Sequence, residues 1–527
     1  MEKPATDIYT FEKLRVNGFT YVDKTDQILS LVDMSIGSQF FLARPRRFGK
    51  SLLVSTMRAL FEGRRELFLG LAIEPKWDWE KKWPVIHLDM GTAQSATVGE
   101  FREFVSRLLR SEAERLGVAY RESELPSVSF RNLIIDVAAT SSDGQCVVLV
   151  DEYDKPLLGH LQKDDVNVFR DELKSLYGVI KYTEGYQRFA FITGISKFSK
   201  VSIFSDLNNL NDLTMELGQA MLLGYTHGEV LKNYPNKLRE LAAANGMSVD
   251  EVFAEVLRRY NGYKFHAAAE RVINPVSLGM CFKSGEFRNY WAATAVPTFL
   301  VDMLDKAPQE LQLVEIDEEQ LGAYEPDKIN LTTLLFQTGY LTIRDCSQMG
   351  NYRTYTLDFP NEEVRDSFLT RVSRAYTKLG DQGAATAQRS CIKALYDRDL
   401  EKFFNTFKCL FANMPYDLTA KNTENVYQAI MVSILWFIGV GVRAEVHTND
   451  GAIDAVFETD CDIYVLEMKR DESAASALRQ IRDKKYCEKY LLSPKPATAI
   501  GVSFDAEHRT VGDWRAIPAA DLATATL

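Results

Sequence analysis

Two rhythms of apolar and polar positions take turns along the first 223 residues. Short continuous apolar runs, "SQFFLA", "WPVIHLDM", "CVVLVDEYD" and "RFAFITGIS", predict strands. Between them "KSLLVSTMRALFEG" and "VGEFREFVSRLLRSEAERLG" repeat apolar residues at i, i+3, i+4 and i+7, which is the spacing of one helix face. Buried strands separated by amphipathic helices predict a parallel sheet covered on both faces.

Past Gly224 the spacing turns helical in "HGEVLKNYPNKLRELAAA" and "SVDEVFAEVLRRY". The run "LLFQTGYLTIRDCSQMGNYRTYTLDFP" predicts a hairpin, because β-branched and aromatic strands flank a polar turn containing Gly350. Helical spacing resumes from Glu362 to about Asn413, and the polar, Pro-containing stretch "MPYDLTAKNT", Met414 to Thr423, predicts a boundary. The expected division is residues 1–223, 224–415 and 416–527. A chain of 527 residues exceeds one core and agrees with two or three domains.

Composition narrows the class. With 46% hydrophobic and 26% charged residues, the chain reads as folded and globular throughout. Its longest apolar run, "AIMVSILWFIGVGV" from Ala429 to Val442, is too short for a bilayer and holds two glycines, so it predicts a buried helix running into a turn. The first residues lack the apolar core of a secretion signal, and no membrane association is expected; the expected location is the cytoplasm. The seven cysteines form no C-x-x-C pair and the six histidines no ligand spacing, which argues against a zinc site or a disulfide frame. A net charge of −11 argues against coating nucleic acid through bulk positive charge, and leaves room for local basic patches.

"ARPRRFGKSLL" nearly spells a phosphate-binding loop at a strand-to-helix junction, with Arg44 at the position of the usual first glycine. Backbone N–H groups and a helix N-terminus hold phosphates there, Lys50 reaches the terminal phosphates and the Ser51 hydroxyl binds Mg²⁺. The missing glycine shapes the turn and removes no phosphate ligand. Arg46, Arg47, Phe48, Gly49, Lys50, Ser51 and Leu52 are therefore the expected nucleotide contacts. A second motif supports the first. "CVVLVDEYD" ends a buried strand in Asp151, suited to hold the Mg²⁺, and Glu152, suited to orient or deprotonate water. The intervening helix and strand suggest the additional-strand subclass of phosphate-loop ATPases, with Thr193 and Ser196 of "FITGISKF" as sensors of the terminal phosphate.

Near the C-terminus, "GAIDAVFETDCDIYVLEMKRD" predicts two strands joined by a polar turn. Alternation puts Glu467 and Lys469 on one face, and pairing brings Asp454 beside them. Two carboxylates that hold one or two Mg²⁺ ions and a lysine that orients water suit phosphodiester hydrolysis. Glu424, in the preceding predicted helix, would add a carboxylate. On the helix "SALRQIRDKKYCEKYL", Gln480, Arg482, Lys484 and Lys485 are placed to meet a DNA or RNA backbone. The alternative is a hairpin with a charged solvent face.

"YVDKTDQI", "ARPRRFGKSLL", "VVLVDEYDKPL", "ITGISKFSK", "NGYKF", "INPVSL", "NYW" and "LFQTGYLTI" together resemble the AAA-ATPase-like proteins fused to a C-terminal nuclease-fold domain, a mostly bacterial family. The C-terminal arrangement resembles the PD-(D/E)XK fold, with Ala452 where relatives often carry a basic residue. The resemblance implies an α/β chain with an AAA-like ATPase, a helical lid, a winged-helix-like middle region and a restriction-endonuclease-like end. It also implies that Arg44 is a family trait, and it marks Tyr21, Asp23, Lys24 and Thr25 as base-contacting; a solvated turn is the other reading of that segment. Arg44, Arg46 and Arg47 are open to phosphates, an acidic strand or nucleic acid. ATPases of this class often complete their sites with an arginine from a second copy, so a homo-oligomer is an expected partner and Arg188 a candidate. The expected function is an ATP-controlled, Mg²⁺-dependent nuclease. The alternatives are a nucleotide-switched binding protein that does not cut and an ATPase that remodels a partner protein.

Overall fold

The computed structural model describes residues 2–33, 37–93, 95–161, 163–197, 209–291, 315–322, 330–350, 352–368, 381–412, 431, 434–435, 441–448, 451–508 and 510–527. The chain divides into two compact units, Met1–Ala293 with Val314–Val364, and Thr294–Leu313 with Arg365–Leu527.

In the first unit, helices α1 (Phe11–Val16) and α2 (Thr25–Val32) precede β1 (Gln39–Ala43) and α3 (Lys50–Phe61). Then come β2 (Val85–Asp89), α4 (Val98–Leu116), α5 (Pro126–Ala138), β3 (Cys146–Asp151), α6 (Lys155–Leu158), α7 (Val166–Tyr182), β4 (Gln187–Gly194) and β5 (Asn211–Asp212). The strands form one parallel sheet in the order β2-β3-β4-β1-β5. Because β4 lies between β1 and β3, the strand bearing the acids is one strand removed from the strand feeding the phosphate loop, as the additional-strand expectation requires. Val147 to Val150 are fully buried, in keeping with helices on both faces of the sheet. All the parallel strands point their C-terminal ends the same way, which is where such sheets gather ligands.

The middle of this unit is helical: α8 (His227–Asn233), α9 (Pro235–Asn245), α10 (Val249–Tyr260) and α11 (Pro275–Ser284) share a core built on Val230, Leu238, Val252, Val256 and Leu278. Reciprocal caps start two of them, Thr226 with Glu229 and Ser248 with Glu251. A three-stranded antiparallel sheet follows, β6 (Glu315–Asp317), β7 (Thr342–Met349) and β8 (Tyr352–Asp358), with α12 (Glu318–Gly322) and α13 (Leu331–Thr338) beside it. The hairpin across Gly350 is as the alternation predicts, but "LLFQT" is helical and not strand. Asn330 accepts from the N–H groups of Thr332 and Thr333, which starts a helix that propensity alone did not reveal.

In the second unit, α14 (Asp381–Tyr396) and α15 (Leu400–Ala412) pack on one face of a sheet of order β13-β12-β11-β10-β9. Its strands are β9 (Gly441–Thr448), β10 (Gly451–Glu458), β11 (Ile463–Arg470), β12 (Ala497–Asp505) and β13 (Thr510–Pro518). α16 (Ala474–Asp483) carries the parallel crossover from β11 to β12 and covers the other face through Leu478 and Ile481. Tyr464, Leu466 and Met468 face α14 and α15, while Ile463 and Val465 face α16. The predicted boundary at Met414–Thr423, Glu424 and most of the apolar run from Ala429 lie outside the described residues; Met431, Ile434 and Leu435 of that run are helical and buried. Among the described residues, no helix is long and apolar enough to cross a membrane.

Candidate nucleotide and metal sites

β1 runs straight into the loop, and Gly49 (φ 93°) turns it into α3 as the helix N-cap. Arg47 shares the left-handed region at φ 68°. Such backbone is costly for a side-chain-bearing residue and persists where the surroundings enforce it. Lys50 is buried and donates to the carbonyl oxygens of Arg44 at 2.9 Å and Pro45 at 3.0 Å, so its ammonium is folded back into its own loop. Burial lowers its pKa, and Asp151, Asp154 and Glu152 oppose that. The Asp151 carboxyl is raised by burial, with a hydrogen bond from Ser51 and the charge of Lys50 acting the other way. An ammonium beside a serine hydroxyl and an aspartate, at the start of a twelve-residue helix, fits a magnesium-bound polyphosphate.

Three of the loop's unusual residues have structural partners. Arg44 is 1% exposed; its guanidinium donates to the carbonyls of Ala43, Thr214 and Gln219 and lies 4.1 Å from the centre of the Phe265 ring. It therefore ties β1 to the segment after β5 and to "NGYKF". Pro45 packs against Gly339, where an added Cβ would fall 2.6 Å from the proline Cβ. Gly339 is at φ +87° and ends α13, so both its backbone and its neighbour require glycine. Phe48 packs edge-on against Tyr263 at 4.7 Å and Phe265 at 5.4 Å. The middle region thus packs directly onto the phosphate loop, a dependence that no motif in the sequence displayed.

Across the sheet tip, Glu152 follows Asp151 at φ 51° and its N–H donates to Asp151 Oδ1 at 2.9 Å. The Thr193 hydroxyl donates to the Leu42 carbonyl at 2.7 Å. Ser196 is fully buried, and its hydroxyl has no hydrogen-bond partner among the described residues. Asp154, the last residue of "DEYD", accepts from the N–H groups of Ile195 at 3.1 Å and Ser196 at 2.7 Å, and so holds the turn after β4. Sequence reasoning passed over Asp154 because the third residue after a strand end reads as a turn. Arg188 sits at the opposite, N-terminal end of β4, where it donates to the Val32 carbonyl and lies over Trp83.

Beside the loop lies a cavity lined by Ile8, Tyr21, Leu53, Leu223 and Val276, with Arg47 and Gly49 in its wall. Its apolar lining suits a flat heterocycle. The Tyr21 to Thr25 segment shapes it by locking itself. Asp23 accepts from Thr25 and from the Ala72 N–H, the Thr25 hydroxyl accepts from the Ile73 N–H, and Lys24 pairs with Glu229 at 2.6 Å.

In the second unit the predicted trio comes together. Ala455 pairs with Leu466 across β10 and β11, and one step beyond that pair Asp454 Oδ2 accepts from the Met468 N–H at 2.7 Å. Glu467, 1% exposed, takes the Lys469 ammonium on Oε1 at 3.2 Å. Its other oxygen is buried with no hydrogen-bond partner among the described residues. Burial first, then the neighbouring Asp454 charge, pushes the Glu467 carboxyl up to about 7, against the pull of Lys469. A buried, unpartnered carboxylate oxygen beside a second carboxylate fits a divalent cation. Among the described residues no three His, Cys, Asp or Glu side chains converge, so this part of the donor set is two carboxylates.

Of the four residues expected to meet nucleic acid, Gln480 lies near Tyr486, whose hydroxyl pKa is raised by burial, with Gln480 opposing and the charges of Glu467 and Asp454 adding to the rise. Arg482 pairs with Asp483, Lys485 with Glu488, and Lys484 is exposed at the end of α16. Tyr486 escaped the sequence reading, since a tyrosine after a helix more often signals packing.

The class that fold and sites define is a phosphate-loop ATPase-like unit joined to a nuclease-like α/β unit. Residues 5–204 match the family described as "Predicted AAA-ATPase", and residues 422–514 match the PD-(D/E)XK nuclease superfamily. A protein of Azotobacter chroococcum mcd 1, described as "Uncharacterized protein in vnfD 5'region", is 36% identical over 519 residues, covering 96% of each chain. The chain belongs to this family of AAA-ATPase-like proteins with a C-terminal PD-(D/E)XK nuclease-superfamily domain.

Proposed function

We propose that the protein binds and hydrolyses ATP in its first unit and thereby controls a metal-dependent phosphodiesterase in its second, acting on DNA or RNA in the cytoplasm. The observation that carries this reading is Glu467, a buried carboxylate with one oxygen unpartnered among the described residues, next to Asp454 and Lys469. Charge left unpaired in a core is expensive, and a site that receives a cation offsets that cost. A divalent ion held by Asp454 and Glu467, with Glu424 as a further ligand, would polarise the phosphodiester and acidify a bound water. Lys469 orients that water and balances charge on the phosphate, while Gln480, Arg482, Lys484 and Lys485 bind the nucleic-acid backbone.

In the first unit, Lys50 would exchange its carbonyl partners for the terminal phosphates, Ser51 and Asp151 would hold Mg²⁺, and Glu152 would orient the attacking water. The segment from Arg46 to Leu52 wraps the phosphates. Thr193 and Ser196 would sense the terminal phosphate, Ser196 through its spare hydroxyl. The apolar cavity beside Gly49 takes the base.

The test is cleavage of labelled DNA and RNA by wild-type and Lys469→Ala protein, with Mg²⁺ or Mn²⁺, with and without ATP. Loss of cleavage in the variant with ATP turnover intact supports the assignment; metal-dependent cleavage that persists in the variant ends it. A second reading, a nucleotide-switched binding protein, is favoured by the net charge of −11 and by Ala452, where relatives often carry a basic residue. It predicts nucleic-acid binding without cleavage under every condition.

A further inference from the structure

The chain passes out of the first unit after Ala293 and again after Val364. Just before these two exits, the segments are fastened to each other. The Asn289 amide donates to the Glu363 carbonyl at 2.8 Å, and Glu363 Oε1 accepts the N–H groups of Tyr290 at 2.5 Å and Trp291 at 2.7 Å. Trp291 meets Tyr340 edge-on at 4.6 Å. Glu363 is 4% exposed, and burial pushes its carboxyl up to about 7 against these hydrogen bonds and the charge of Arg47. A buried carboxylate is a costly fastener, because apolar residues of similar volume hold two segments as well or better. Its distinctive property is that a neighbouring charge can tune it.

That neighbouring charge comes from the phosphate loop. Arg47 Nη1 donates to the Tyr290 carbonyl at 3.1 Å, and Arg47 also lines the cavity beside Gly49. One residue therefore lies at both the candidate nucleotide pocket and the junction. Phosphate oxygens bind a guanidinium through charge-assisted, often bidentate hydrogen bonds, which a single neutral carbonyl does not match.

We propose that Arg47 senses nucleotide: bound phosphates draw its guanidinium off the Tyr290 carbonyl, and the grip of Glu363 on Tyr290 and Trp291 loosens at both exits together. This rests on the nucleotide reading above and gives that site a route by which occupancy reaches the rest of the chain. The linkage is reciprocal, so loosening the junction also changes nucleotide affinity.

The experiment is hydrogen exchange of peptides covering residues 286–293 in the full-length protein, with and without Mg²⁺ and a non-hydrolysable ATP analogue, with analogue binding measured on the same samples. In wild type, the analogue should raise exchange of the Tyr290 and Trp291 amides by about tenfold or more. In Arg47→Met, exchange should start high and stay unresponsive. Glu363→Gln, which keeps an acceptor but removes the charge that Arg47 tunes, covers the case in which the first variant does not fold, and its exchange should not respond to the analogue. Bound analogue with unchanged exchange in wild type, or a wild-type response in either variant, overturns this proposal and leaves the nucleotide reading standing. Absence of analogue binding by wild type overturns the nucleotide reading itself, and this proposal with it.

Discussion

The two candidate sites are built on opposite principles. At the phosphate loop the backbone is arranged in advance: Arg47, Gly49 and Glu152 all sit at positive φ, and Lys50 already has two carbonyl partners. At the Asp454 site the backbone is ordinary strand, and the tension is electrostatic, in a buried Glu467 with one oxygen unserved among the described residues. A polyanion with many oxygens is best met by a rigid cradle of N–H groups. A small cation is best met by carboxylates whose charge is poorly compensated until it arrives.

The sharpest break in that comparison comes from the two lysines. Lys469→Ala is expected to lower cleavage by about 10³-fold or more while ATP turnover stays near wild type. Lys50→Ala should lower ATP turnover by a similar factor of about 10³, and the ATP dependence of cleavage should be lost with it. Lys469→Ala protein, shown to be folded, that loses ATP turnover together with cleavage would mean that the two sites are not separable.

Next in size is the seam between the phosphate loop and the middle region. Gly339→Ala forces a methyl against Pro45 at a positive φ, and should cost about 2–4 kcal/mol in denaturant unfolding and weaken nucleotide binding with it. Unchanged stability would show that the loop yields easily.

The pH dependence separates the carboxylates by their raised pKa values. Glu363 stands at about 7 in the folded protein against an ordinary 4.5, so its neutral form is the one the fold prefers. Its contribution is fully present below about 4.5 and is lost as pH rises through about 7, a loss of up to about 3 kcal/mol. Glu363→Gln should flatten that part of the stability profile, measured by urea unfolding between those pH values. Glu467 is raised in the same direction, but Mg²⁺ or Mn²⁺ should restore stability at pH 8 in wild type and not in Glu467→Gln, read as a melting-temperature shift. The smallest effects belong to the basic residues after α16. Lys484→Ala and Lys485→Ala should each weaken nucleic-acid binding a few-fold and lower the salt slope by about 1.

Much of the fold and of both sites is legible in the chain order. The continuous apolar strands predict the parallel sheet, because burial on both faces leaves no polar alternation to disguise it. Asp454, Glu467 and Lys469 are legible as a group because a hairpin fixes which residues face each other. The roles of Arg44 and Pro45 are not legible, since their partners Thr214, Gln219, Phe265 and Gly339 lie more than 150 residues away in the chain. The helix over "LLFQT" escapes the pattern because its apolar run fits either period, and the Asn330 cap decides it. The Pro-containing stretch at Met414 predicts a boundary by composition and lies outside the described residues, whereas contacts group α14 and α15 with the sheet that follows them.

The sequence by itself determined which chemistry is present: the order of strands and helices, the Gly-Lys-Ser turn, the paired acids at a strand end and the acid-lysine pair on another strand. These are local facts, set by side-chain period and by what a turn allows. Only the tertiary structure decided how each group is poised. Which arginine is spent on packing, which carboxylate keeps an oxygen unserved and which residue links the phosphate loop to Tyr290 and Glu363 all depend on burial and on distant partners, because desolvation is a property of the assembled core and not of the chain order.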